Sequence, residues 1–230
     1  DVFVEDGFDV VIGNPPWDQL RPSRDDFFPK YDERFRTRRP SEKDEIQDEL
    51  LKNDEIAHQW EEYQEDIEVQ MRYFTDGPKY QLQTPKVAGR KDPNENNLAG
   101  LFVERVFDLI KDDGYVAQVL PGVIFNGSFS KDMRMKMLNE STITSLVGFE
   151  NKGIFDGIDD RYNFAVVTFK NDGYTDKLRG IFEQHDLSIL KGLEQESAEI
   201  PRKVLEQYSS EARIFPFVTS QQEADVLTKL

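Results

Sequence analysis

The chain has 230 residues, a formal net charge of -16 and 32% charged residues, which is enough length for one domain with an appendage. It has no cysteine, which excludes disulfides and thiolate metal sites, and its two histidines, His58 and His185, are too far apart in sequence to predict a metal cluster. No apolar run reaches membrane length and the N-terminal residues show no signal-peptide pattern, so we expect a cytoplasmic protein.

Residues 1–4 are predicted to be the end of a strand or a linker. The first complete predicted element is a strand at residues 8–13, which read FDVVIG. A short β-branched run of this kind predicts a buried parallel strand. Asn14-Pro15-Pro16-Trp17 follow, and the chain must leave the sheet here because neither proline can donate to a strand ladder. The tetrapeptide is therefore predicted at the carboxyl end of a strand, where open α/β sheets bind ligands.

The residue types of this tetrapeptide suit chemistry on a planar amine. Such an amine is a poor nucleophile, because its lone pair is delocalised into the adjoining π system. The side-chain oxygen of Asn14 and the carbonyl of Pro15 are two acceptors that can localise the lone pair, and the prolines hold both acceptors in place before reaction. Trp17 offers a flat face for stacking. A plain turn with Trp17 in the core is the alternative, and the strand before it and the aromatic after it favour the catalytic interpretation.

A basic and aromatic segment follows, with seven basic and four acidic residues between Arg21 and Arg39. Basic residues interleaved with aromatic ones suit contact with phosphates and an extruded base. A solvated loop with a few packing aromatics explains the segment equally well. The candidate phosphate-binding residues are Arg21, Arg24, Arg36, Arg38 and Arg39, and the interleaved aromatics are Phe27, Phe28, Tyr31 and Phe35.

The rest of the chain predicts helices alternating with strands, which indicates an α/β sheet with helices on its faces. Residues 41–74 predict one acidic helix with an apolar stripe that packs against a core, and residues 76–97 predict a loop rich in Gly and Pro. A helix capped by Asn97, with Phe102 on its buried face, is predicted to stop at residues 111–114. The further predicted elements are strands at 115–120, 143–149 and 164–169, the last two antiparallel, and helices at 130–138 and, except at Pro201, 194–207.

Three stretches of the chain resemble the amino-methyltransferases. FDVVIGNPPW resembles their motif IV, most closely that of the N6-adenine DNA methyltransferases with an Asn-Pro-Pro-aromatic signature. Residues 97–121 resemble the helix and strand that follow in those enzymes, and residues 149–170 resemble their motif VIII region, in the same order. The resemblance is greatest to the methylases of type IIG restriction-modification systems and of related phage-defence systems. It covers residues 1 to about 170, with a poorly matching insertion at about 23–96.

This resemblance implies the catalytic half of a Rossmann-like methyltransferase sheet, with helices on both faces and a helical insertion. It divides the chain into a catalytic-core portion, 1–175, and a connector toward a target-recognition region, 176–230. It implies S-adenosylmethionine as the cofactor, double-stranded DNA as the partner, and further domains or subunits of a restriction or defence system. The sequence shows no glycine-rich cofactor loop, so we expect a fragment that binds the cofactor weakly and is inactive alone.

The resemblance also implies roles for individual residues. The N6 amine of a flipped adenine would bind Asn14 and the Pro15 carbonyl, and its ring would stack between Trp17 and Phe155. Tyr162 and Phe164 are alternatives to Phe155, and Gly153 and Gly157 suggest a mobile loop around it. Asn14 and Phe102 would border the cofactor, although core packing explains Phe102 equally well, and no metal is required.

Two other functions remain open at this point. Asn-Pro-Pro-aromatic motifs also occur in methyltransferases that act on RNA bases or on protein glutamine. The chain could instead be a methylase-like DNA-binding or scaffold subunit without catalytic activity. The net charge of -16 argues against DNA binding in general, because phosphate neutralisation needs Lys and Arg.

Overall fold

The computed structural model describes residues 7–93 and 97–229, so the strand or linker expected at residues 1–4 lies outside the described residues. The strands are β1 (Phe8–Gly13), β2 (Lys86–Val87), β3 (Arg90–Lys91), β4 (Ile110–Pro121), β5 (Thr142–Glu150), β6 (Asn163–Lys170), β7 (Lys177–Gln184) and β8 (Ala198–Pro201). The helices are α1 (Arg24–Phe27), α2 (Pro40–Leu50), α3 (Asp54–Asp76), α4 (Leu98–Leu109), α5 (Val123–Asn126), α6 (Lys131–Glu140), α7 (Leu193–Glu196), α8 (Arg202–Tyr208) and α9 (Gln221–Leu227).

Six strands form one mixed sheet in the order β1-β4-β6-β5-β7-β8, and β2 pairs with β3 in a separate hairpin. The β1–β4 and β5–β7 pairs are parallel, and the other pairs of the large sheet are antiparallel. The antiparallel pairing of β5 with β6, which places Phe149 opposite Phe164, confirms the sequence prediction. β4 begins at Ile110, so the residues predicted to stop α4 already belong to the strand.

The prediction that β1 is buried is wrong. β1 is parallel to β4, as predicted, but it lies at the edge of the sheet, and β4 is its one partner among the described strands. Val10 and Ile12 are 53% and 79% exposed, because no described element packs over them. A β-branched run predicts a strand, but the burial of that strand depends on neighbouring elements that the run does not determine.

The main hydrophobic core lies between the sheet and α4, α5, α6, α8 and α9, and includes Val106, Leu120 and Leu146. Arg134 of α6 is fully buried in this layer and donates hydrogen bonds to four backbone carbonyls, those of Ile124, Gly127, Ala212 and Arg213. Burial lowers the pKa of its guanidinium to about 9, so the group is still charged at neutral pH. Arg134 thereby ties the C-terminal segment to the turn after α5.

The opposite face of the sheet carries a smaller cluster built on Val147, Phe149, Phe164 and Ile181. Residues from the tetrapeptide, from the segment after β5 and from the short helices near 187–196 pack against it. Helices therefore lie on both faces of the sheet, as predicted. Among the described residues, no helix combines the length and apolar character needed to cross a membrane.

The C-terminal residues extend the sheet. β7 and β8 are its last two strands, and Phe215, Val218 and Ala224 are buried in the main core. The helix predicted at 194–207 is interrupted by β8 and continues as α8. Residues 177–229 therefore pack with the strands and helices that precede them, and the division of the chain into a catalytic-core portion and a connector toward a target-recognition region stays a prediction.

The insertion builds a second core of its own. The single helix predicted at 41–74 is two helices, α2 and α3, because the Asn53 side chain caps α3 by accepting from the backbone N–H groups of Glu55 and Ile56. Phe27, Phe28 and Phe35 are buried and pack against partly buried residues of the apolar stripe. The packing interpretation of these three aromatics is thus confirmed.

Candidate active site

The tetrapeptide lies where β1 ends, as predicted. Gly13 pairs with Gln118 of β4, after which the Asn14 side chain is exposed, Pro15 is buried and Pro16 is exposed. The loop is also tied to the start of α4, because the backbone N–H of Leu98 donates to the carbonyl of Asp18 at 2.9 Å. Two prolines and this tether hold the loop in one conformation.

A cavity of about 340 Å³ opens between the end of β1 and α4. Asn14 and Phe102 both line it, so the structure brings together the two residues predicted to border the cofactor. Phe102 is 47% exposed, so its placement on the buried face of α4, and with it the core-packing alternative, is wrong. The remaining lining residues are Val11, Ile12, Gly13, Pro15, Pro16, Arg105, Val106, Leu109 and Gln118.

Gln118 is a residue of this cavity that the sequence analysis missed. Its side chain is 3% exposed, and its Oε1 atom accepts no hydrogen bond from any described residue. The amide lies over Gly13, because a Cβ atom at that position would be 3.9 Å from Gln118 Nε2. A polar residue in the otherwise apolar run YVAQVLP was the signal that could have identified it.

Four aromatic rings meet on the other side of the tetrapeptide, and we call them the strand-tip cluster: Trp17, Phe155, Tyr162 and Phe164. Tyr162 stacks on Trp17 with ring centroids 5.5 Å apart and an interplanar angle of 8°. Phe155 meets Trp17 edge to face at 5.8 Å and 90°, and Phe164 lies at 6.0 Å and 26°. The expected residues therefore converge, but the ring parallel to Trp17 belongs to Tyr162 and not to Phe155.

The segment from Asn151 to Tyr162 positions these rings. Asn151 is fully buried, and its side chain accepts from the N–H of Phe155 at 2.7 Å and donates to the carbonyls of Phe155 at 3.0 Å and Ile158 at 2.8 Å. Gly153 and Gly157 have φ angles of +82° and +78°, which side-chain-bearing residues rarely adopt. Partial burial raises the pKa of the Tyr162 hydroxyl, and the nearby charge of Asp18 adds to this shift.

The basic segment lies in the insertion, and much of its charge is paired there. Arg24 pairs with Asp44, Arg36 with Asp26 and Arg38 with Asp32. The hydrogen bond from Arg38 lowers the pKa of the Asp32 carboxyl. Arg21 and Arg39 are exposed and form no ion pair with a described residue, so they are the better placed of the five candidates to contact phosphate.

Over residues 7–93 and 97–229, the side chains of His, Asp and Glu nowhere form a group of three or more that could hold a metal ion.

Residues 73–155 match the family described as Eco57I restriction-modification methylase. This match spans less than half of the chain and includes α4, β4 and the start of the segment after β5. Residues 73–155 are thus similar in sequence to a restriction-modification methylase. A search of curated proteins finds no match.

Two solved structures of similar fold come from type I restriction-modification systems. The first, from a study of complex assembly and conformational transition of the type I system, has a TM-score of 0.50 at 13% identity over 91% of this chain. The second, a methyltransferase subunit from Streptococcus thermophilus, has a TM-score of 0.49 at 14% identity over 91% of this chain. The chain spans 38% of the length of each of these proteins. The first likeness supports the mixed α/β fold and nothing beyond it.

Proposed function

We propose that this chain is the catalytic portion of an S-adenosylmethionine-dependent DNA methyltransferase. It methylates the N6 amine of an adenine flipped out of the duplex and acts in a restriction-modification or phage-defence system. The observation that carries the proposal is exposed Asn14 at the tip of β1, followed by two prolines, with a cavity on one side and an aromatic cluster on the other.

The residues of the tetrapeptide would act on the target amine. The Asn14 side-chain oxygen and the Pro15 carbonyl accept its two N–H bonds and localise the nitrogen lone pair. Trp17 holds the base plane, so that the amine and the methyl donor are positioned together. When bound, S-adenosylmethionine supplies an electrophilic methyl group on sulfur. Transfer of that methyl group to the amine held by Asn14 and Pro15 would release the thioether of the cofactor and one proton to solvent.

The residues around the cavity suit a nucleoside-containing cofactor. A volume of about 340 Å³ falls within the range of small-molecule sites, which is about 300–1,000 Å³. Exposed Phe102 offers an aromatic surface beside which a nucleoside base can lie. Asn14 would lie between this cofactor and the base.

DNA as the substrate rests on the sequence similarity of residues 73–155 to restriction-modification methylases. Tyr162 already stacks on Trp17 at 5.5 Å, so an extruded base would take the place of the Tyr162 ring on that face. Arg21 and Arg39 would contact the phosphates. Part of the negative charge is concentrated on α2 and α3 of the insertion, which carry 13 acidic residues against two basic ones.

The test is the Asn14→Ala substitution in the complete protein. We expect methyl transfer to DNA to fall by about a hundredfold or more, because removal of one preorganised hydrogen-bonding group costs about this much. Asn126→Ala, which removes an exposed asparagine outside the cavity, is the matched control. Labelled methyl incorporation gives the rate, and mass spectrometry of the digested DNA identifies N6-methyladenine.

Several outcomes would contradict this proposal. Unchanged methylation in the Asn14 variant would remove the catalytic role of the tetrapeptide. Methylation of RNA or of a glutamine peptide in place of DNA would assign another substrate to the same chemistry. DNA binding without any methyl transfer would indicate a scaffold subunit.

A further inference from the structure

The Tyr162 ring lies on the face of Trp17 that a base would use. The two rings are nearly parallel, at 8°, and their centroids are 5.5 Å apart, which is an ordinary distance for offset stacking. Trp17 is partly buried, and Phe155 and Phe164 contact it as well. A base that stacks on Trp17 therefore competes with one of these three rings.

Tyr162 is the ring best able to leave. It is 37% exposed, whereas Phe164 is 2% exposed and Phe155 is partly buried against the cluster on the same face of the sheet. The hydroxyl of Tyr162 forms no hydrogen bond with a described residue, so none is broken when the ring moves. The exposure of Tyr162 also means that a ligand from solvent can reach the position of this ring.

The backbone at Tyr162 is fixed, so the movement needs only the side chain. The carbonyl of Tyr162 accepts from the backbone N–H of Asn151 at 2.9 Å, and the N–H of Tyr162 donates to the carbonyl of Asp159 at 2.9 Å. Neither bond involves the ring, and side chains of exposed residues change rotamer within picoseconds to nanoseconds. Residues 156–161 are exposed, and a Cβ atom at Gly157 would meet no heavy atom beyond its chain neighbours within 4 Å, so there is open space beside the segment.

The exchange of the Tyr162 ring for a base is favourable in free energy. A base stacked on an aromatic side chain gains about five- to a hundredfold in affinity, whereas a pair of aromatic side chains gains about two- to tenfold. Displacement of Tyr162 therefore weakens base binding without preventing it. A base that is still stacked in its duplex carries the additional cost of unstacking, so the ring favours bases that are already extruded.

We propose that Tyr162 gates the target-base site. Its ring covers Trp17 in the free protein and turns away when an extruded base takes its place, while the bond to Asn151 keeps the backbone of the segment where it is. The inference deepens the proposed function and rests on it for the identity of the ligand, a purine base. This role differs from that of a ring that stacks on the bound base.

The experiment measures the binding of adenine bases by the Tyr162→Ala variant of the complete protein. The probe is single-stranded oligodeoxyadenosine, whose bases need neither extrusion nor a recognition sequence, and the reference is an oligomer of abasic sugars of the same length. We expect Tyr162→Ala to bind the adenine oligomer about two- to tenfold more tightly than the wild type, because no ring has to leave. Binding of the abasic oligomer should not change, since it reports only the contacts to phosphate.

Two further variants serve as controls. Tyr162→Phe keeps a flat ring on Trp17 and should bind both oligomers as the wild type does. Tyr174→Ala removes a tyrosine that is 61% exposed and lines a different cavity, so it should change neither affinity. Fluorine NMR of protein labelled with 5-fluorotryptophan reports the position of the ring. The Trp17 signal, assigned by its absence in Trp17→Phe, should shift in Tyr162→Ala and stay in place in Tyr174→Ala.

Weaker binding of the adenine oligomer by Tyr162→Ala would overturn the inference, because the ring would then hold the base and not exclude it. An unchanged affinity or an unshifted Trp17 signal would overturn it too. In these cases Asn14→Ala would still lose methyl transfer, so the proposed function would stand. If the wild type transferred no methyl group to DNA, the proposed function would fail, whereas tighter binding by Tyr162→Ala would still support the exchange of the ring for a base.

Discussion

The two tryptophans of the chain lie in aromatic clusters of different kinds. Trp60 packs with Phe27, Phe28 and Tyr63 in the core of the insertion, at centroid distances of 4.9 to 5.5 Å. Trp17 packs at 5.5 to 6.0 Å in the strand-tip cluster, three residues after exposed Asn14. Both tryptophans are partly buried, and Trp60 borders a cavity that is also lined by Arg21 and Arg24. Aromatic residues near basic ones therefore do not by themselves mark a ligand site. The distinguishing feature is the exposed polar residue at the end of a strand.

The largest expected effect is on stability and belongs to Trp60. We expect Trp60→Ala to lower the free energy of unfolding by about 3 kcal/mol, because it leaves a cavity beside Phe27 and Phe28. Urea unfolding followed by circular dichroism measures this loss, and Trp60→Phe should lose less. Base binding by the folded variant should be retained. A Trp60→Ala protein that is as stable as the wild type would show that the insertion core contributes little.

The next effect is on binding and belongs to Trp17. Loss of one base-stacking ring costs about 1–3 kcal/mol, so Trp17→Ala should weaken binding of DNA with an extruded base by about ten- to a hundredfold. Trp17→Phe keeps a flat ring and should keep most of the affinity. Fluorescence of 2-aminopurine at the target position reports the flipped base. Equal signals from the Trp17→Ala and Trp60→Ala variants would remove the distinction between the two clusters.

The smallest effect is local and belongs to Asn151. Its amide organises the segment that carries Phe155 and Tyr162, so Asn151→Ala should destabilise that segment by about 1–2 kcal/mol. Hydrogen–deuterium exchange should be faster at residues 152–162 and unchanged in β5 and β6. Asn163→Ala, at an exposed position beside the same segment, is the control. Unchanged exchange in the Asn151 variant would mean that contacts within the strand-tip cluster hold the segment.

Much of the sheet was predictable because its strands carry strong local signals. The apolar runs of β4, β5 and β6 and the cap of α4 by Asn97 are signals between neighbouring residues, and these elements overlap their predicted positions, although β4 begins earlier than predicted, at Ile110. The C-terminal strands were missed, although in β7 exposed Lys177 and Arg179 alternate with buried Leu178 in the pattern of a half-buried strand. The helix break at 51–53 was also missed, although Asn53 is a residue type that commonly caps a helix start.

The sequence predicts which residues form the candidate site better than it predicts how they are arranged. The motif gives Asn14 and Trp17, and the resemblance adds Phe155 and Phe102. The ring that lies parallel to Trp17 is set by a turn that Asn151 stabilises. The Asn151 side chain bonds to the backbone of its own segment, and such bonds produce no periodic pattern in the sequence that could predict the turn. The unpartnered oxygen of Gln118 becomes visible only when the neighbouring atoms are known.

The outer side of β1 has a consequence for handling the protein. Its outer backbone groups pair with no other described strand, and Val10 and Ile12 present apolar surface beside them. An exposed sheet edge of this kind can pair with an extended segment of another polypeptide. Asp9 is the one charged residue of the strand, and its carboxylate is already paired with Lys111. We therefore expect this edge to favour intermolecular β-structure at high concentration, against the general repulsion from a net charge of -16.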